Sequence, residues 1–129
     1  MNEELAQRAV ACKHWRWMPG MLTKHGLRAE RNGDGMVAIW HDRKRNEWGE
    51  ESLTGGLPDL TDPATIGCLL ALVREAWGDD GITTSCTRCG GGTGWSVHRS
   101  SPVNGVSALV PVLSESEATV LICALEAAP

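Results

Sequence analysis

A chain of 129 residues, 42% of them apolar, is long enough to bury a core as a single domain over 1–129 without covalent staples. A formal charge of −4 excludes the basic field that a nucleic-acid surface needs, so no direct contact with nucleic acid is expected. No apolar run approaches about 18 residues and the N-terminal stretch lacks an apolar signal core, so no membrane span is expected and the five cysteines read as reduced thiols of a cytoplasmic protein.

In chain order, Asn2 to about His14 reads as a first helix. Asn2 can cap it, and Glu3 and Glu4 suit the positive end of its dipole. Leu5, Ala9 and Cys12 form its apolar stripe, with Ala6 and Val10 beside it. Trp15-Arg16-Trp17-Met18 then runs into Pro19-Gly20, which ends any helix. The six tryptophans are the only aromatics apart from histidine, and Trp15 and Trp17 make this their densest spot. A tryptophan lid over the core edge is expected here; a stacking or peptide-binding surface is the alternative. Residues 27–31 and 36–40 read as a hairpin about Asn32-Gly33-Asp34-Gly35, where Asn-Gly and Asp-Gly meet the demand for positive φ. Residues 41–56 read as an exposed loop. Arg43, Lys44 and Arg45 are offset there by Asp42, Glu47, Glu50 and Glu51, and Trp48 is the best candidate for an exposed aromatic.

Leu57 to Gly78 contains the clearest helix and the expected central packing element. Asp62 is a cap, Pro63 suits the first helical position and Gly78 is a natural stop. Ile66, Leu69, Leu70, Val73 and Trp77 recur at helical spacing, and Leu72 and Ala76 widen the stripe. Residues 82–86 then read as a strand, 87–94 as a glycine-dense turn, and 95–99 as the returning strand. A third strand over 106–113 carries Pro111, which favours an edge. Ser114 with Glu117 fits a capping box for a last helix that buries Ala118, Leu121, Ile122 and Leu125. The order α-β-β-α-β-β-(β)-α predicts an α+β fold, an antiparallel sheet with packed helices.

Chemistry is sparse. Cys86-Thr87-Arg88-Cys89 has the spacing of two zinc thiolates on a tight turn, but zinc needs two further ligands, for which His98 and the Cys12/His14 pair are the candidates. A redox role for the same pair lacks the helix start that such motifs use. Gly90 to Gly94 lacks the Lys-Ser/Thr and the helix of a phosphate loop. No serine sits in a nucleophile motif, and the four histidines show no metal-binding pair at helical spacing. A protein that is not an enzyme, with no cofactor, is therefore expected.

Trp17-Met18-Pro19-Gly20-Met21, then Leu57-Pro58-Asp59-Leu60-Thr61-Asp62-Pro63-Ala64-Thr65 leading through Gly67-Cys68-Leu69-Leu70-Ala71-Leu72-Val73-Arg74-Glu75-Ala76, and a closing Ala124-Leu125-Glu126-Ala127-Ala128, resemble small, largely uncharacterised proteins of tailed phages and prophages of proteobacteria. The likeness touches both ends and the middle of the chain and brings no active-site residue with it. It implies a phage accessory protein acting in the cytoplasm of a bacterial host by binding a host or phage protein. An anti-defence inhibitor such as an anti-CRISPR, occupying a basic channel, is one form of that expectation. The contact residues expected are Trp15, Trp17, Trp48, Glu47, Glu50 and Glu51. The alternatives are a zinc-stabilised replication or regulatory module built on Cys86 and Cys89, and an enzyme whose site lies around 15–25 and 86–98.

Overall fold

A computed structural model describes residues 3–33, 35–89, 92–103, 106–109, 114 and 116–129, with the backbone alone at 87–89, 92–93, 100–103 and 106. Three helices and two three-stranded antiparallel sheets make up the described residues, an α+β fold. The chain divides into two compact units, Met1–Val10 with Arg16–Cys68, and Ala11–Trp15 with Leu69–Pro129.

The first unit holds most of α1 (Glu3–Ala11) and the sheet β1-β2-β3, formed by Arg28–Asn32, Gly35–Asp42 and Glu47–Ser52. α1 buries Leu5, Ala6 and Ala9 and is shorter than the expected 2–14. The chain turns after it, with Trp15 N–H donating to the Cys12 carbonyl at 3.0 Å; the expected cap, Asn2, lies outside the described residues. The β1–β2 hairpin has the predicted register, Asn32 opposite Gly35, and Gly33 takes φ 61° as its turn requires; Asp34 lies outside the described residues.

Register assigns the faces of this sheet. Ala29 and Ala38 pair with each other and are buried, so they mark the core side together with Trp40 and Gly49. Val37, Ile39, His41, Trp48 and Glu50 fall on the other face. The outer edge of β1 is covered by the chain that precedes it. Gly20 N–H donates to the Ala29 carbonyl at 2.9 Å, and Ala29 N–H donates to the Met21 carbonyl at 2.7 Å. Met21, Leu53, Leu57 and Leu60 complete the buried set of this unit.

One expectation is overturned here. Residues 41–56 are not a continuous loop, because Glu47–Ser52 pairs with β2 along its whole length. The turn between them is built by side chains. Asp42 Oδ1 accepts from Lys44 N–H at 2.9 Å and Arg45 N–H at 3.3 Å, and Asn46 takes a left-handed φ of 52°. The glutamates 47, 50 and 51 therefore ride on a strand.

α2 (Pro63–Trp77) starts in the first unit and ends in the second. Its caps are those predicted. Asp62 Oδ2 accepts from Thr65 N–H at 3.0 Å, and Gly78 ends the helix at φ 64°. Thr65, Leu69, Leu72 and Val73 are its buried line, while Ile66, Leu70 and Trp77 are half-buried.

The second unit contains the sheet β4-β5-β6, formed by Thr83–Cys89, Gly92–Val103 and Val106–Ala108, and α3 (Glu117–Ala127). Both long strands exceed the expected 82–86 and 95–99 and take in 87–89 and 92–94 of the expected turn; positions 90 and 91 lie outside the described residues. Pro111 also lies outside them. The cap of α3 is Ser116 rather than Ser114, and its hydroxyl accepts from Thr119 N–H at 3.4 Å. Ser114 is still extended. Its carbonyl accepts from Trp95 N–H at 2.6 Å and its N–H donates back to the Trp95 carbonyl. Glu117 consequently receives a hydrogen bond from Thr84 Oγ1 at 2.7 Å in place of a capping-box contact.

α3 buries Ala118, Val120, Leu121, Ile122, Ala124 and Leu125. Trp77 reaches it with Nε1–H donating to the Ala124 carbonyl at 2.8 Å, while the Arg99 guanidinium sits 5.0 Å from the Trp77 ring. Trp77→Phe keeps most of the apolar area, removes the hydrogen bond to Ala124 and weakens the contact with Arg99. Urea denaturation is expected to show a loss of about 1–2 kcal/mol.

Candidate functional site

The exposed strand β3 reads Glu47-Trp48-Gly49-Glu50-Glu51-Ser52, and every residue but Gly49 is exposed. Trp48 is 71% exposed and is the exposed large hydrophobic side chain among the described residues. Its place opposite His41 in the β2–β3 register puts both rings on the outward face. They stack with centroids 4.3 Å apart and planes at 29°. His41 is tied in turn by a contact of 3.3 Å between Nε2 and Asn46 Oδ1. The indole thus has a ring partner while most of its area remains open. Half-buried Val37 and Ile39 continue the apolar character along the same face of β2.

Acidic groups surround this aromatic. Glu50 shares the outward face with Trp48 and accepts from Asn32 Nδ2 at 2.6 Å. Glu47 and Glu51 alternate onto the other side of the strand. β3 itself carries three carboxylates and no cation, and the turn that precedes it carries Arg43, Lys44 and Arg45. An exposed aromatic beside charged groups is the composition of a recognition surface, where a few residues dominate the energy.

The remaining predicted contact residues lie elsewhere. Trp17 lines an open groove of about 370 Å³ with Arg16, Met18, Pro19, Arg31 and Met36, all in the first unit. The guanidiniums at its rim make it opposite in sign to β3. Trp15 is half-buried and belongs to the second unit. Thus the structure unites Trp48 with Glu47, Glu50 and Glu51 on one strand, and neither Trp15 nor Trp17 is part of that strand.

The cysteine pair does not form the turn that chelation was expected to use. Cys86 and Cys89 both lie in β4, three strand steps or about 10 Å apart along the backbone. Cys86 is exposed and sits opposite Trp95; the side chain of Cys89 is outside the described residues. No group of three or more His, Cys, Asp or Glu residues suited to a metal occurs among the described residues. Cys68 donates Sγ–H to the Pro19 carbonyl at 3.7 Å, and burial, followed by the charge of Asp62, pushes its thiol pKa up, away from nucleophilic use.

His98 has partners that the sequence reading did not find. Its Nε2 lies 2.6 Å from Ser96 Oγ, its Nδ1 lies 3.1 Å from Ser107 Oγ, and Ser96 Oγ lies 3.1 Å from Ser85 Oγ. Ser96 and His98 share a face because they are two apart on β5, and Ser85 joins them because it pairs with Ser96. That alternation was the available signal. The spacing resembles a nucleophile with its base, and Ser96 is buried, 8% exposed. The arrangement acts as a polar clasp between three strands.

No protein-family model, curated protein or solved structure matches this chain.

Proposed function

We propose that this chain acts by binding a protein partner through β3, with Trp48 as the anchor. The observation that carries the reading is an indole that is 71% exposed and stacks on His41. A tryptophan exposed to water forfeits the large burial it brings to a core, and stacking on a neighbouring ring lowers the entropy lost on binding. Glu47, Glu50 and Glu51 supply a sign, so the partner surface is basic. Trp15 and Trp17 are each partly exposed but lie off β3, and neither belongs to this anchor.

The setting proposed is a phage or prophage gene product in the cytoplasm of a bacterial host. Support for it is the likeness of residues 17–21, 57–76 and 124–128 to phage proteins. A basic defence complex, such as a CRISPR effector with its nucleic-acid channel, is the partner class that combines this setting with the acidic strand.

The test is capture of partners from host lysate by the tagged chain, with Trp48→Ala run alongside. The wild type is expected to recover one complex. Trp48→Ala should weaken that recovery by at least about 30-fold, the scale of a hot-spot tryptophan, and more than Trp15→Ala or Trp17→Ala does. Folding stability should change by less than about 0.5 kcal/mol, because the side chain is exposed. Equal recovery by wild type and Trp48→Ala would remove the basis of the proposal.

A further inference from the structure

We infer that β3 accepts an extended, lysine- or arginine-bearing segment of the partner as a fourth strand of the first sheet. This rests on the binding role proposed for β3 and adds the mode and the chemistry of recognition.

The two edges of the sheet differ. β1 is hydrogen-bonded on its outer side by Gly20–Leu22, through the Gly20 and Ala29 amides and the Leu22–Arg28 bridge. β3 pairs with β2 on one side only and has no backbone partner on its other side among the described residues. A strand edge of this kind presents a row of free N–H and C=O groups, a template for another extended chain.

Side chains select which chain can use it. A second copy of β3 sets glutamate against glutamate, Glu47 against Glu51 in an antiparallel pair centred on Gly49, and like charges across strands oppose pairing. A segment bearing lysines or arginines meets those carboxylates with the opposite charge on both faces, since Glu50 lies on one side and Glu47 and Glu51 on the other. Trp48 then offers its open ring to an alkyl stem or cation of that segment. The turn cations Arg43, Lys44 and Arg45 set the polarity: basic residues of the partner lie opposite Glu50 and Glu51, and neutral or acidic ones pass the turn beyond Glu47.

The experiment uses the full chain and three synthetic octapeptides: a repeated Lys-Lys-Val-Val sequence, which places lysines on both faces of a strand, the same peptide with every backbone amide N-methylated, and a version with glutamate for lysine. Affinity is read by fluorescence polarisation, and amide hydrogen exchange is followed at residues 47–52. The lysine peptide is expected to bind and to slow exchange at alternate residues of β3. N-methylation should weaken it by at least about tenfold, because it removes the strand's donors, and the glutamate peptide should be weaker by at least about the same factor. Equal binding of the N-methylated peptide, or no binding of the lysine peptide, overturns strand addition. If lysate capture still depends on Trp48 in that case, the binding role stands and only the mode fails. If capture is also indifferent to Trp48, both fail.

Discussion

Alanine at position 49 is expected to destabilise the protein by about 1–3 kcal/mol, although it adds a single methyl group to an edge strand. Gly49 lies opposite Trp40 on the core side of the sheet, and the indole packs directly over its Cα. A Cβ built there would fall within the ring, against Cζ2 and Cε2 and 2.7 Å from Cη2. An indole cannot yield as a lysine tip would, so either Trp40 leaves its position or β3 separates from β2. The second response also disturbs the Trp48–His41 stack, which depends on the same pairing. Gly49→Ala should therefore lower the urea midpoint and weaken partner capture together. Combining it with Trp40→Leu separates the causes. If the clash is the mechanism, alanine at 49 should cost much less in the Trp40→Leu background, giving a coupling of about 1 kcal/mol or more. Additive costs would point instead to the backbone of β3.

This strand also shows what the sequence could and could not reveal. Glu47-Trp48-Gly49-Glu50-Glu51-Ser52 has no alternation of apolar and polar residues, because neither of its faces is buried. A strand stabilised by its neighbour and by one tryptophan over a glycine leaves no periodic trace. The accessible signal was in the turn: an aspartate that bonds two amides after it and an asparagine able to take positive φ. Trp48, in contrast, was legible as an exposed aromatic, because charged residues flank it where a core strand would be apolar. Its orientation was not legible, since the stack on His41 exists only in one register.

Local signals were read well where a cap needs only neighbours in sequence. Asp62-Pro63 and Gly78 bound α2 as expected. The same reasoning misplaces the start of α3 by two residues, because a long-range contact, the Ser114–Trp95 bridge, keeps the chain extended past the first candidate. Cys86 and Cys89 failed as a chelating turn for a related reason: pairing with β5 carries β4 through both residues. His98 was noticed only as a spare ligand. Recognising its serine partners required knowing which strands lie beside it.

Asp62 should make a second large contribution to stability, and one that depends on pH. Its Oδ2 caps α2 through Thr65 N–H and accepts from Thr65 Oγ1, both at 3.0 Å. Its two oxygens also meet Arg28 Nη1 at 2.6 Å and Nη2 at 3.0 Å. The carboxylate is only 9% exposed, and fully buried Thr65 spends its hydroxyl a second time as acceptor for Leu22 N–H at 2.9 Å. Asp62→Ala loses the cap and the fork together and is expected to cost about 2–3 kcal/mol. Asp62→Asn keeps an oxygen that can cap and loses the charge, so about 1 kcal/mol is expected. The Arg28 hydrogen bonds, followed by those from Thr65, hold the Asp62 pKa below its ordinary value in the folded protein. The unfolded chain, with a pKa of about 3.9, therefore binds the proton more readily. The stabilisation is complete above that pH and fades as pH falls through the lower, folded pKa. Urea denaturation from pH 7 down to about 3 should show the wild-type advantage over Asp62→Asn constant near neutrality and shrinking below about pH 4. An advantage that stays level to pH 3 would mean that the charge of Asp62 contributes nothing and that its cap geometry does all the stabilising.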